Sequence, residues 1–248
     1  MKIMSSGLSD VGRVRTSNED SMGLFHDLDL YIVADGMGGH AAGEVASKMA
    51  VDQIKAYIAA SCAGNGTKPG NPQQNEDKLV KAISHANLQI FLTGSKDTAL
   101  NGMGTTVVAL MSRGEELVIG FVGDSRLYLL RDGALQQLTE DHSVVNEYVQ
   151  KGLIPAEAAE HHPQKHVLSR AMGTAPEVQV EAFTRKPRVG DLYLLCSDGL
   201  SNKLNASEIQ TILKQSRNID DASKQLVQHA IHAGGEDNIT VLIVSIAE

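Results

Sequence analysis

The residues best placed to do chemistry are aspartates that stand where apolar runs break into glycine. LYIVADG carries Asp35 and Gly36, LYLLCSDG carries Asp198 and Gly199, FVGDSR carries Asp124, and GGEDN sets Asp237 just before ITVLIV. Carboxylates converging at strand ends repel one another strongly at low dielectric unless they share cations, so a hard-metal site is the economical explanation. An all-oxygen donor set selects Mg2+ or Mn2+ over zinc. Two such ions roughly 3.5–4 Å apart can bridge and deprotonate a water for in-line attack on phosphorus. Phosphate monoesters need that help, because accelerations of their hydrolysis reach up to ~10²¹. Any one Asp-Gly pair is by itself an ordinary turn, and Asp132-Gly133 is expected to be a hairpin turn. It is the set that argues for metal.

A second cluster lies near the N-terminus, where GRVRTSNED brings Arg13 and Arg15 close to Glu19 and Asp20. An arginine can grip phosphate through two parallel hydrogen bonds, and an acid beside it can orient water. His40, after the glycine turn, is a candidate general acid, a role typically worth ~10²–10⁴ in rate. The same turn, Gly36-Met37-Gly38-Gly39-His40-Ala41, also fits a dinucleotide fingerprint. Its surroundings reject that reading, since a Gly/Pro loop and a second helix follow where a second parallel strand is required.

The elements that must position these groups are legible from periodicity. Strands are expected at 24–27, 30–35, 105–111, 116–122, 126–131, 135–138, 192–196 and 239–246. Amphipathic helices are expected at 41–60 and from about 79 onward, joined by the polar loop 64–75, then near 206–214 and 220–233. The stretch 143–172 is polar, with helical fragments at 144–151 and 155–161, and reads as a mobile excursion. Antiparallel hairpins and helices arriving in consecutive pairs predict a sheet-on-sheet core flanked by helix layers. The even spread of apolar runs favours one domain.

Composition narrows the function classes. A net charge of -8 with no basic block argues against a nucleic-acid surface. Cys62 and Cys196 lie far apart with no paired spacing, so neither a disulfide framework nor a zinc knuckle is expected, and both read as small buried hydrophobes. Residues 1–14 hold no apolar signal core, and the run 239–247 is too short to span a bilayer. A reducing cytoplasm is the expected setting, with no membrane partner.

The chain resembles the bacterial branch of the protein phosphatase 2C family of metal-dependent serine/threonine phosphatases. The resemblance runs over nearly the whole sequence through eight ordered blocks, VRTSNED, VADGMGGHAAGE, GMGTT, GDSRLY, LTEDHS, SRAMG, LCSDGL and EDNITVLIV. It implies an α+β fold, a four-layer αββα sandwich of two central mostly antiparallel sheets flanked by helix pairs. It implies one phosphatase domain over 1–248, with a flap at about 143–172. The implied activity is hydrolysis of phosphoserine or phosphothreonine by a water activated between two Mn2+ or Mg2+ ions, without a covalent phosphoenzyme. By similarity Asp35 bridges two metals, the Gly36 carbonyl binds one, Asp198 and Asp237 hold the other, and Asp124 with Asp198 matches a third site. Arg15, four residues before Glu19, fits the phosphate-binding position better than Arg13, and Glu19 and Asp20 fit the pair that orders metal-bound water. Animal members place their proposed acid histidine directly after Asp-Gly, whereas Met37-Gly38-Gly39 intervene before His40 here, which puts that role in question. The implied partners are phosphorylated proteins made by serine/threonine kinases, met by a monomer. The alternative is a catalytically silent phosphoprotein-binding regulator of the same fold. That reading expects lost ligand aspartates, and all four are present.

Overall fold

The computed structural model describes residues 2–38, 42–63, 71–159 and 162–248. Along the chain the elements are β1 (Lys2–Asp10), β2 (Asp20–Phe25), β3 (Leu30–Met37), α1 (Ala42–Ala63), α2 (Pro72–Lys96), one 3-10 turn (Thr98–Leu100), β4 (Gly104–Thr105), β5 (Val107–Arg113), β6 (Glu116–Val122), β7 (Arg126–Arg131) and β8 (Ala134–Gln137). They continue as α3 (Val144–Gln150), α4 (Ala156–Ala159), β9 (Glu181–Arg185), β10 (Leu192–Cys196), α5 (Asp198–Ser201), α6 (Ala206–Gln215), α7 (Ile219–His232) and β11 (Ile239–Ala247).

The strands form two sheets, one in the order β1-β11-β10-β7-β8 and the other β2-β3-β5-β6-β9, with the short β4 against β3. Every pairing is antiparallel. Because a strand's side chains alternate faces, each inner strand serves two cores at once. In β3, Leu30, Ile32 and Ala34 turn toward α1 and α2, while Tyr31 and Val33 turn toward the other sheet. In β11, Ile239, Val241 and Ile243 meet α6 and α7, while Leu242, Val244 and Ile246 face inward. Burial on both faces is why these strands read as unbroken apolar runs. The result is the four-layer αββα sandwich.

Helix starts are fixed by side chains that satisfy the first free N–H groups. Asn71 accepts from Gln74 N while Gln74 reaches back to Asn71 N, and Asn205 and Glu208 repeat the exchange at α6. Asn218 caps α7 through Asp221 N. As expected, Asp132 and Gly133 make the β7–β8 turn, with φ of 51° and 79°, and Arg131 pairs with Ala134.

Several expectations need correction. The first strand, β1, was missed because its serines blur the alternation, yet it pairs with β11 along its whole length. The edge strand β9 goes unpredicted because it is half-buried throughout and shows no alternation. The strand expected at 24–27 is β2 at Asp20–Phe25, since Leu28 N already donates to Phe25 O in the turn to β3. Cys62 is only half-buried, with Arg113 Nη2 3.6 Å from its sulfur, whereas Cys196 is buried. No helix among the described residues is long and apolar enough to cross a membrane.

The α2 helix lies close on the second sheet at Gly120, where an added Cβ would come within 2.9 Å of Ile83 Cδ1 and 3.0 Å of Leu79 Cδ2. Both leucine and isoleucine are fully buried, so neither can retreat into solvent. Gly120→Val is expected to destabilise the protein by about 1–3 kcal/mol. Urea unfolding should show the loss as a lower midpoint at unchanged slope.

Candidate active site

Five aspartates reach one region from both sheets. Asp20 and Asp35 stand opposite each other in the β2–β3 pair. Asp124 occupies the tight turn that carries the chain from β6 in one sheet to β7 in the other. Asp198 opens α5 directly after β10, and Asp237 stands two residues before β11. Placing Asp20 in this group corrects its expected position ahead of the first strand and gives it a structural partner.

Backbone contacts hold these residues in place. Asp35 N donates to Thr106 Oγ1 at 3.0 Å, and Asp35 O accepts from Thr106 N and from Thr105 Oγ1, each at 2.9 Å. Thr106 Oγ1 also meets Ser125 Oγ at 2.7 Å, which ties the Asp35 strand to the Asp124 turn. Gly36 N donates to Glu19 O, and a side chain at Gly36 would run into the Gly43 carbonyl at the start of α1. Asp20 is buried and accepts from Ser197 Oγ at 2.7 Å, while Ser197 Oγ accepts from Thr240 N at 3.0 Å. Asp198 Oδ2 accepts from Asn202 Nδ2 one turn along at 3.0 Å.

The electrostatics are those of crowded anions. Burial, then the fields of Asp20, Asp198, Asp124 and Asp237, hold Asp35 well above the usual carboxylate range. Burial pushes Asp20 up to about 7 against the hydrogen bonds from Thr240 and Ser197. Burial, with Asp198 and Asp141 nearby, pushes Asp124 up to about 7 as well. Asp198 is raised by burial and Asp237, offset by a hydrogen bond with Asp35. Like charges compressed in a poorly solvated space resist ionisation unless a cation is brought in.

Arg15 is the charged group nearest to offsetting them. Its Nη2 lies 2.9 Å from Asp237 Oδ2, which raises the guanidinium pKa, and Arg13 has only its backbone N engaged, to Gly235 O at 2.7 Å. Burial raises Glu19, opposed by Arg15. The 11–19 loop that carries both is pinned by Asn238, a buried side chain missed in the sequence. Asn238 Oδ1 accepts from Glu19 N at 2.8 Å, and its Nδ2 donates to Val11 O and Ser17 O, each at 3.0 Å. The signal was its place in the EDN triplet beside Asp237. Ser197, beside Asp198, was overlooked in the same way. His40 lies outside the described residues.

A cavity of about 890 Å3 opens beside the aspartates, lined by Asp124 and Asp198, by Asn146 and Lys165 from the 143–172 segment, and by Asn202 and Glu208. That segment carries α3 and α4 and closes at its base, where Val144 N donates to Val167 O at 2.9 Å. Its far end meets the site directly, since Thr105 and Met172 exchange backbone hydrogen bonds at 2.8 and 3.1 Å.

Among the described residues no three Asp, Glu, His or Cys side chains are arranged to hold a metal by themselves. Ions of the Mg2+ type do not require that arrangement: they bind through one or two carboxylates and keep several waters. The donors here are all oxygens, crowded and mutually repelling, so they fit hard divalent cations and not zinc.

Comparison with known proteins agrees with this geometry. Residues 13–233 match the family model described as protein phosphatase 2C. The serine/threonine phosphatase stp of Listeria welshimeri is 44% identical over 239 residues, covering 95% of this chain and 93% of its own. The crystal structure of Stp1 from Staphylococcus aureus superposes with a TM-score of 0.91 at 34% identity, over 100% of this chain and 96% of that one. The catalytic domain of the serine threonine protein phosphatase PstP, solved in complex with two manganese ions, superposes with a TM-score of 0.84 at 36% identity over 99% of each chain. An antiparallel αββα sandwich with acids gathered between its sheets thus defines a phosphatase architecture, and the chain belongs to the protein phosphatase 2C family.

Asn238→Ala removes three hydrogen bonds and leaves Glu19 N and two carbonyls without that partner. It is expected to cost about 1–3 kcal/mol of stability. It should also loosen the Arg15 loop, read as faster amide exchange at Glu19 by NMR, with the β7–β8 hairpin unchanged.

Proposed function

We propose that this chain is a metal-dependent protein phosphatase that hydrolyses phosphoserine and phosphothreonine in proteins, working with two Mn2+ or Mg2+ ions and a third. The observation that carries the reading is the gathering of five aspartates from both sheets, four of them held above the usual carboxylate range by burial and by one another, with Arg15 paired to the fifth, Asp237. The family membership and the manganese held by the PstP relative support it.

In this reading Asp35, the Gly36 carbonyl, Asp198 and Asp237 would hold two ions, and Asp124 with Asp198 would hold a third. Bound ions of this kind supply Lewis acidity that polarises phosphoryl oxygens and lowers the pKa of water. The protein's own groups do the rest. Arg15, exposed at the mouth and now paired with Asp237, can turn its second face to a phosphate and offer paired N–H donors. Glu19, raised by burial, and Asp20, held by Ser197, orient water through hydrogen bonds they accept. His40 is proposed to deliver a proton to the leaving oxygen.

We assign the whole chain to one domain, with 143–172 as its flap beside the cavity. The proposed partners are proteins phosphorylated by serine/threonine kinases, met by a monomer in the cytoplasm as part of signal transduction. Neither nucleic acid nor a membrane is a proposed partner, in keeping with the net charge of -8.

The test is hydrolysis of an aryl phosphate with Mn2+, with and without chelator. Chelation should abolish turnover and Asp198→Ala should remove it. Arg15→Ala should raise KM about 10–100-fold, the scale of a lost hydrogen bond to a charged group, with a smaller change in kcat. A wild-type protein inert with both Mn2+ and Mg2+ would sink the enzyme reading.

A further inference from the structure

His142 is the only histidine among the described residues that is fully buried, and no step above uses it. It is held to the Asp124 turn from two directions. Gly123 N donates to His142 Nδ1 at 3.1 Å, and His142 N donates back to Gly123 O at 3.0 Å. Gly123 adopts φ of 103°, and a Cβ there would lie 2.6 Å from Thr106 Cγ2, so the turn is tight and its geometry is not shared with other residues. Asp124 is the next residue. Whatever sets the Gly123 peptide therefore sets the direction in which Asp124 leaves the strand.

The same histidine anchors the 143–172 segment. Its carbonyl accepts from Ser169 N at 2.8 Å, and the bridge between Ser143 and Leu168 closes the segment's base immediately beyond it. The ring stacks on Phe121, with centroids 5.1 Å apart and planes at 22°. On its far side Nε2 lies 3.1 Å from Glu181 Oε1, out of line for a formed hydrogen bond, and that oxygen accepts from Arg170 Nη1 at 2.8 Å. Since Nδ1 accepts a backbone N–H, the neutral ring carries its proton on Nε2, toward the carboxylate.

We infer that His142 is a positioning residue that couples the base of the 143–172 segment to Asp124, fixing that carboxylate for its cation through the Gly123 peptide. The inference rests on the proposed role of Asp124 as a metal ligand. Asp124 has no helix or long strand to aim it; the clamp on Gly123 supplies the rigidity that a ligand needs. Partners of ligands at this remove typically set about 10–100-fold in metal affinity.

The experiment compares the full chain with His142→Leu, His142→Asn and Asp124→Asn. Asparagine can place an acceptor oxygen near the position of Nδ1, and leucine cannot. Mn2+ titration calorimetry should show Asp124→Asn losing one binding step. His142→Leu should weaken that same step roughly tenfold and leave the others alone, while His142→Asn restores most of the affinity. Amide exchange at Gly123 should quicken roughly 5–10-fold in the leucine variant and stay near wild type in the asparagine one. In the wild-type protein, which needs no substitution to fold, ring-nitrogen NMR should find the proton on Nε2 and Nδ1 unprotonated. A proton on Nδ1 overturns the clamp. A leucine variant with wild-type Mn2+ titration, while Asp124→Asn loses its step, overturns the positioning role alone. If Asp124→Asn titrates like the wild type, the ligand reading of Asp124 fails and the coupling fails with it.

Discussion

Repulsion among Asp20, Asp35, Asp124, Asp198 and Asp237 is the constraint around which the rest of the molecule is arranged. Folding alone would keep such groups apart, since each loses hydration and gains like-charged neighbours. Here both sheets deliver them to one place, with Arg15 paired to Asp237 and Arg126 easing Asp124 and Asp198. The cost is borne by the three apolar cores, which fill nearly every inner strand position. Such local strain against global stability is characteristic of sites built to bind what the protein itself does not contain.

The acids are kept in register by backbone bonds made through small polar side chains. Thr105 and Thr106 grip the Asp35 peptide, Ser125 links it to the Asp124 turn, Ser197 and Thr240 hold Asp20, and Asn238 fixes the Arg15 loop to β11. These hydroxyls and amides satisfy buried groups without adding charge. Their contribution is to order the site, so that the carboxylates cannot relieve their repulsion by turning outward.

Much of this was legible in the sequence, and what was not has physical causes. The runs LYIVAD and ITVLIV announce strands buried on both faces, and the breaks after them locate Asp35 and Asp237. The hairpin at Asp132-Gly133 follows from two residues that accept positive φ. By contrast β1, with its serines, and the half-buried edge strand β9 have no clean alternation, so periodicity passed over them. Asp20 falls ahead of the strand expected at 24–27 because β2 opens with a polar residue whose partner, Asp35, becomes visible only in the pairing. Asn238, Ser197 and His142 were present in quoted blocks, but a buried hydrogen bond between distant stretches of chain, 219 residues apart for Asn238 and Glu19, leaves no local mark.

The central claim is that the aspartates are mutually destabilising until a divalent cation joins them. In chelator, burial and their like-charged neighbours push the folded Asp20 and Asp124 up to about 7, above the ordinary aspartate range, so the folded protein holds protons the unfolded chain releases. Their support for the fold is therefore complete below about pH 4 and is lost as pH rises through about 7. The most direct measurement is the melting temperature with chelator and with Mn2+, taken from about pH 5 to about pH 8. The chelated protein should lose stability across that window, and the rise in Tm given by Mn2+ should grow with pH by several degrees. A Tm that Mn2+ leaves unchanged, or raises more at pH 5 than at pH 8, would contradict the account.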